Sequence, residues 1–175
     1  MSNEQRKREK MKKEPWDSST KKVKNLKISD FGTHDEVRSM AKMSLTAASF
    51  IEARNILLSL VDKPMLSKSG LYATISKKSV KEILSGKAVG KSFNLEAHLK
   101  AAANIEKIYS NAIEKWEFEL DSHKNNDSLE DRKYLYSPME YDGRIVIVKL
   151  TIMKYKDIKT EKRLYSIQAI NVDLE

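Results

Sequence analysis

No cysteine occurs anywhere in the 175 residues. A disulfide framework is therefore excluded, and so is any cysteine-ligated metal centre. Histidine is scarce, with only His34, His98 and His123. These lie far apart and lack the close spacing of paired ligands, so neither a zinc site nor any other cofactor is expected. No apolar run approaches the ~18 residues of a membrane span. No apolar stretch follows the basic N-terminus as it would in a secretory signal. A cytoplasmic protein with no membrane partner is the expectation. Glycine-rich phosphate loops, Ser-His-Asp spacings and paired-carboxylate motifs are absent too, which removes the most recognisable enzyme classes.

Positive charge is present, but unevenly. The formal net charge is +8. Residues 1–27 hold ten Lys or Arg against four Asp or Glu, and the remainder holds twenty-three against twenty-one. The pI of about 9.4 is thus mostly a property of the N-terminal stretch. Clusters such as Arg6-Lys7-Arg8 and Lys21-Lys22, with few apolar residues between them, suit a solvated leader or a polyanion-binding arm. Residues 1–45 are expected as a basic, disordered or loosely helical arm, in which Asp35 caps a short helix to Met43. Residues 46–173 are expected as one domain, long enough to bury a single core.

Within that domain the apolar spacing separates helices from strands. Phe50, Ile51, Ala53, Ile56, Leu57 and Leu60 predict a helix over 46–60, ended by Pro64. Leu71, Ala73 and Ile75 alternate as in a short strand. Ser79 and Glu82 have capping-box spacing, with Gly86 suited to the helix end. From Asn94 to Trp116, apolar residues recur every three or four positions, which predicts one long amphipathic helix. Beyond it come strands over 133–138, 144–154 and 163–172, the first two joined by a turn at Tyr141-Asp142-Gly143. The expected fold is α+β: N-terminal helices packed on an antiparallel meander of four strands, within a range of three to five.

Two places invite chemistry. His98 lies in the first turn of the long helix, where the helix dipole favours neutral imidazole. It is either a general base or a buried structural histidine. Lys149 and Thr151 share the strand face opposite Val148 and Leu150. That face is either plain solvent surface or, since Ile145 and Ile147 continue it, partly covered. Ser166 and Gln168 lie on the last strand, Tyr134 and Tyr136 on the first, and Arg132 just before it.

The segments Ser85-Gly86-Lys87-Ala88-Val89, Glu96-Ala97-His98-Leu99-Lys100-Ala101, Tyr136-Ser137-Pro138-Met139, Val148-Lys149-Leu150-Thr151 and Leu164-Tyr165-Ser166-Ile167 stand in a recurrent order. Together they resemble the barnase–EndoU–colicin–RelE-like small domains of large polyvalent proteins from phages and conjugative elements. The resemblance covers about Ala53 to Val172. It implies helices on a sheet of about four antiparallel strands, and metal-independent RNA cleavage by attack of the 2′-OH on the adjacent phosphate. By position, His98 would be the acid or base and Lys149 would stabilise phosphate charge, with Thr151 and Ser166 as hydrogen-bonding partners. Arg132 lies near the place of a phosphate-binding arginine, although Tyr134 competes for that place. If His98 and Lys149 form one site, they should point into one cleft. The resemblance also implies RNA as partner, delivery with phage or conjugative DNA, and an inhibitor protein if the domain is toxic. The alternative is a non-catalytic nucleic-acid-binding or protein-interaction module on the same fold.

Overall fold

The computed structural model describes residues 26–115, 129–155 and 165–174. The basic clusters of residues 1–25 and Trp116 lie outside them. The helices are α1 (His34–Ala41), α2 (Phe50–Ser59), α3 (Lys77–Ile83), α4 (Gly86–Lys91), α5 (Leu95–Ala103) and α6 (Ile105–Ser110). The strands are β1 (Met65–Leu66), β2 (Tyr72–Thr74), β3 (Ile113–Glu114), β4 (Leu129–Tyr141), β5 (Arg144–Tyr155) and β6 (Tyr165–Leu174). The α+β class and the β4-β5-β6 meander are as expected. The strand count is not. One six-stranded sheet runs β1-β2-β6-β5-β4-β3, and β2 pairs with β6 in parallel. The additional edge strands β1 and β3 are two residues each, too short to carry a period-two signal.

Strand β5 organises the sheet. Val146, Val148, Leu150 and Ile152 are fully buried and pack with Ala97, Leu99, Ala101, Ala102, Ile105 and Ile108 in the main core. At roughly 1.5–3 kcal/mol for each large side chain removed from water, that layer is the chief stabilising element. The β4–β5 turn puts Asp142 and Gly143 at φ 51° and 76°. Two successive residues with positive φ match the right-handed twist of the hairpin, which is why Asp-Gly stands there. On β6, Thr151 faces Ala169 and Ile152 faces Ile167, so Gln168 is an extra residue in the ladder. This bulge explains why Ile167 and Ile170, three apart, both enter the core.

The expected single helix over 94–116 is two helices. Asn104, 3% exposed, interrupts them because its amide serves another segment. Its Oδ1 accepts from the Leu45 N–H at 3.0 Å, and its Nδ2 donates to the Leu45 carbonyl at 2.8 Å. Asn104→Ala leaves both groups of Leu45 without these partners. It is expected to cost about 1–2 kcal/mol, read as a lower midpoint in urea unfolding. Helix α3 also starts earlier than expected. Ser76, not Ser79, is its N-cap, and Ser79 supplies the returning bond of the capping box. Gly86 opens α4 rather than closing α3.

Residues 26–45, expected within the arm, pack on the sheet. A 3-10 turn over Ile28–Phe31 and helix α1 bury Leu26, Phe31 and Val37 against Tyr136 and Ile147. Lys115 holds Asp30 at 2.9 Å, and Lys107 donates to the Lys42 carbonyl. The sheet therefore has helices α5 and α6 on one face and the α1 segment on part of the other. No helix among the described residues is long and apolar enough to cross a membrane.

Candidate nucleic-acid interface

His98 is 0% exposed, and both ring nitrogens are engaged. The Val172 N–H donates to Ser92 Oγ at 2.9 Å, and that Oγ lies 2.7 Å from His98 Nδ1. Nε2 lies 2.7 Å from the Ile83 carbonyl, which can only accept. Nε2 must therefore carry a proton, and in the neutral ring Nδ1 accepts from the Ser92 hydroxyl. Burial holds its pKa below the ordinary 6.5, partly offset by the bond to the Ile83 carbonyl. One imidazole thus joins the end of α3, the residue after α4, helix α5 and, through Ser92, strand β6.

Lys149 lies on the other side of the sheet. Its neighbours Val148 and Leu150 enter the core shared with α5, so alternation turns Lys149 away from His98. The expectation of one cleft holding both is not met. The reason is that β5 is covered by helices on the face of its even-numbered residues. His98 sits under that cover, bonded to backbone and serine rather than aimed across the sheet.

The face of Lys149 gathers other expected residues. Lys149 pairs in register with Tyr136, Thr151 with Tyr134, and Met153 with Arg132. The Lys149 ammonium stands 4.2 Å from the centre of the Tyr134 ring, a cation–π contact. The Arg132 guanidinium comes within 3.8 Å of the Met153 sulfur. Arg132, Tyr134, Lys149 and Thr151 are all half-buried. Ser166 stands opposite Met153 in register, but its Oγ is 3.0 Å from Ser79 Oγ at the start of α3. It belongs to the margin of this face and serves the packing of α3.

Sequence reasoning missed two members. Asp173, which lies beyond the expected strand end, is opposite Ile147 in register, on the side of Lys149. Burial pushes its carboxyl above the usual range, and the Lys149 charge partly offsets this. Lys91 ends α4, in a stretch where apolar spacing predicts no helix. Partial desolvation comes first in lowering its pKa, though the residue is exposed overall. Next come the like charges of Lys87, Lys149 and Arg132. The signal for Lys91 was there in the i, i+4 pair Lys87 and Lys91, once a helix is recognised. Among the described residues, no group of three His, Asp or Glu is placed to hold a metal ion.

The arrangement is a sheet face with the α1 segment packed on Tyr136 and Ile147, and with Ser92 and Phe93, just after α4, bonded to Val172 of β6. Its floor carries cations, an aromatic ring and hydroxyl or amide groups from Thr151 and Asn171. Such a surface can bind phosphates and lay bases against apolar or aromatic groups. No curated protein and no solved structure matches the chain. The family described as large polyvalent protein-associated domain 3 matches residues 51–165, well over half the sequence and every element from β1 to β5 in chain order, together with all but the first residue of α2, and the chain belongs to that family.

Proposed function

We propose that this domain binds nucleic acid, RNA in the first instance, on the half-open face of β4, β5 and β6. The observation that carries the reading is the convergence of Lys149, Arg132, Tyr134 and Thr151 on one face. A lysine in the middle of a central strand is costly to bury, and here the face is only partly covered, so the charge is kept at a surface. Membership of a polyvalent-protein family accords with a chain carried by a phage or mobile element. The helices over an antiparallel meander support kinship with the barnase–EndoU–colicin–RelE-like group.

The same face gives a cleavage reading its one specific support. Asp173 is a carboxylate on the side of Lys149 with a raised pKa, the kind of group that accepts a proton from a 2′-OH. His98 has no place in that chemistry, because neither nitrogen faces the surface.

The test is fluorescence anisotropy with labelled RNA over a salt series, with EDTA present. The paired substitution Lys149→Gln and Arg132→Gln is expected to weaken binding. It should also flatten the dependence of log K on log salt by about 0.7 for each lost phosphate contact. Wild-type protein that binds no RNA would remove the proposal. Cleavage leaving cyclic-phosphate ends, abolished by Asp173→Asn, would make the face a nuclease site instead.

A further inference from the structure

Residues 26–41 cover part of the sheet on the side of Lys149, and they do so with a small cluster of their own. Leu26, Phe31 and Val37 close over Tyr136 and Ile147, and Tyr134 packs against that cluster. By register Tyr136 stands beside Lys149 and Tyr134 beside Thr151. Both tyrosines of the proposed RNA face therefore belong to the layer that this strap covers. None of the strap's residues enters the main core on the other side of the sheet.

The strap is lightly held. Among the described residues, no backbone–backbone hydrogen bond joins it to the sheet. Side chains tie it down instead: Lys115 bonds Asp30 at 2.9 Å, and Asn111 Nδ2 donates to the Met40 carbonyl at 3.4 Å. Helix α1 has eight residues, too few to persist in water once its apolar side is released. Three large side chains are little burial for the length of chain they order. The strap thus belongs to the part of the molecule that opens first.

Tyr136 shows that the closed strap is an imperfect cover. The residue is 2% exposed, and its hydroxyl is shut off from solvent with no hydrogen-bond partner among the described residues. A buried hydroxyl left unpaired is destabilising, and opening the strap relieves it. An RNA strand uses what opening uncovers. Bases stack on the tyrosine rings in place of Phe31 and Val37. The Tyr136 hydroxyl gains partners, and Lys115 exchanges Asp30 for a phosphate.

Resting on the RNA-binding reading of the sheet face, we propose that residues 26–41 are an autoinhibitory strap. The closed form is the resting state, and RNA binds the open form by displacing the strap from Tyr134 and Tyr136.

Hydrogen exchange on the full chain, with and without an oligouridylate, reads the strap directly. RNA is expected to speed exchange at the α1 amides, the reverse of the protection given by a ligand that lies over a fixed surface. Fluorescence anisotropy reads the affinity. With an open form at about 10% of molecules, Phe31→Ala is expected to tighten RNA binding by up to about tenfold. Asp30→Asn breaks an exposed ion pair and should tighten it about twofold, which keeps the test standing if Phe31→Ala does not fold. Tyr136→Phe should raise Tm by removing the unpaired hydroxyl, and yet weaken RNA binding. Unchanged or slower exchange at α1 with RNA bound would overturn the strap. So would unchanged or weaker binding in the folded strap variants. If Lys149→Gln still weakened binding in that case, the sheet face would stand as an RNA site beside a fixed segment. If neither wild type nor Asp30→Asn bound RNA, both proposals would fall.

Discussion

His98→Ala is expected to destabilise the domain by about 3 kcal/mol, a large part of the 5–15 kcal/mol that holds an ordinary domain together. Three losses combine. The Ile83 carbonyl loses its donor. The Ser92 hydroxyl loses its acceptor while still receiving the Val172 N–H. A cavity opens where a fully buried ring stood. Urea unfolding followed by circular dichroism should show a lower midpoint with little change in slope. RNA affinity, measured under conditions where the variant is folded, should stay at the wild-type level, because no atom of His98 reaches the Lys149 face. A folded His98→Ala protein with lost binding would show that the two faces act as one site.

The same residue sets a pH dependence. The folded-state pKa of His98 lies below its ordinary value of 6.5, so the unfolded chain binds more protons between those two values. Stability is then fully present above about pH 6.5, falls as pH drops through that window, and levels off below the folded pKa. The partners on the ring are an uncharged carbonyl and a hydroxyl, and the Ile83 carbonyl favours the imidazolium only enough to offset part of the burial cost. His98→Ala should remove this part of the slope between neutral and mildly acidic pH. Asp173 works in the opposite sense. Its carboxyl is raised above 3.8, so its contribution is present at acid pH and lost as pH rises through the raised value. Asp173→Asn should remove that loss.

The particulars of β5 explain how much of this was legible in the sequence. Val146, Val148, Leu150 and Ile152 alternate without a break, and the structure buries all four. Their alternation gave the core face, and the opposite face with Lys149 and Thr151 followed from it. The Asp142-Gly143 turn and the following strand were readable because turn chemistry and period agree. Asn104 was not readable. Its neighbours keep helical spacing straight through the break, and its reason for breaking the helix lies at Leu45, 59 residues away. The role of His98 was equally hidden, since its partners Ile83 and Ser92 become partners only when α3, α5 and β6 close together. Lys91 needed a six-residue helix that carries too little periodicity to be seen. Short elements and long-range hydrogen bonds were the common causes.

Adjacent residues of β5 give the sharpest test of the face assignment. Val148→Lys is expected to cost about 4 kcal/mol or more, enough to leave little folded protein at room temperature. Val148 is 0% exposed, lies in a central strand between Ser137 and Val172, and shares a core with Leu99 and Leu150. A lysine there can neither reach water along the strand nor find a carboxylate in that apolar layer. Lys149→Val should do the reverse. Valine is a strong strand former, and the site lies next to Ile147 on a half-buried face. Folding should therefore be unharmed or improved, while RNA binding falls with the lost charge and the lost contact to the Tyr134 ring. Thermal unfolding and RNA anisotropy on the two variants separate the roles: one position holds the fold and the next holds the ligand. A stable Val148→Lys protein would mean that the helices do not cover this face. A Lys149→Val protein that unfolds would mean that the lysine is structural, and the proposed interface would lose its central cation to the fold.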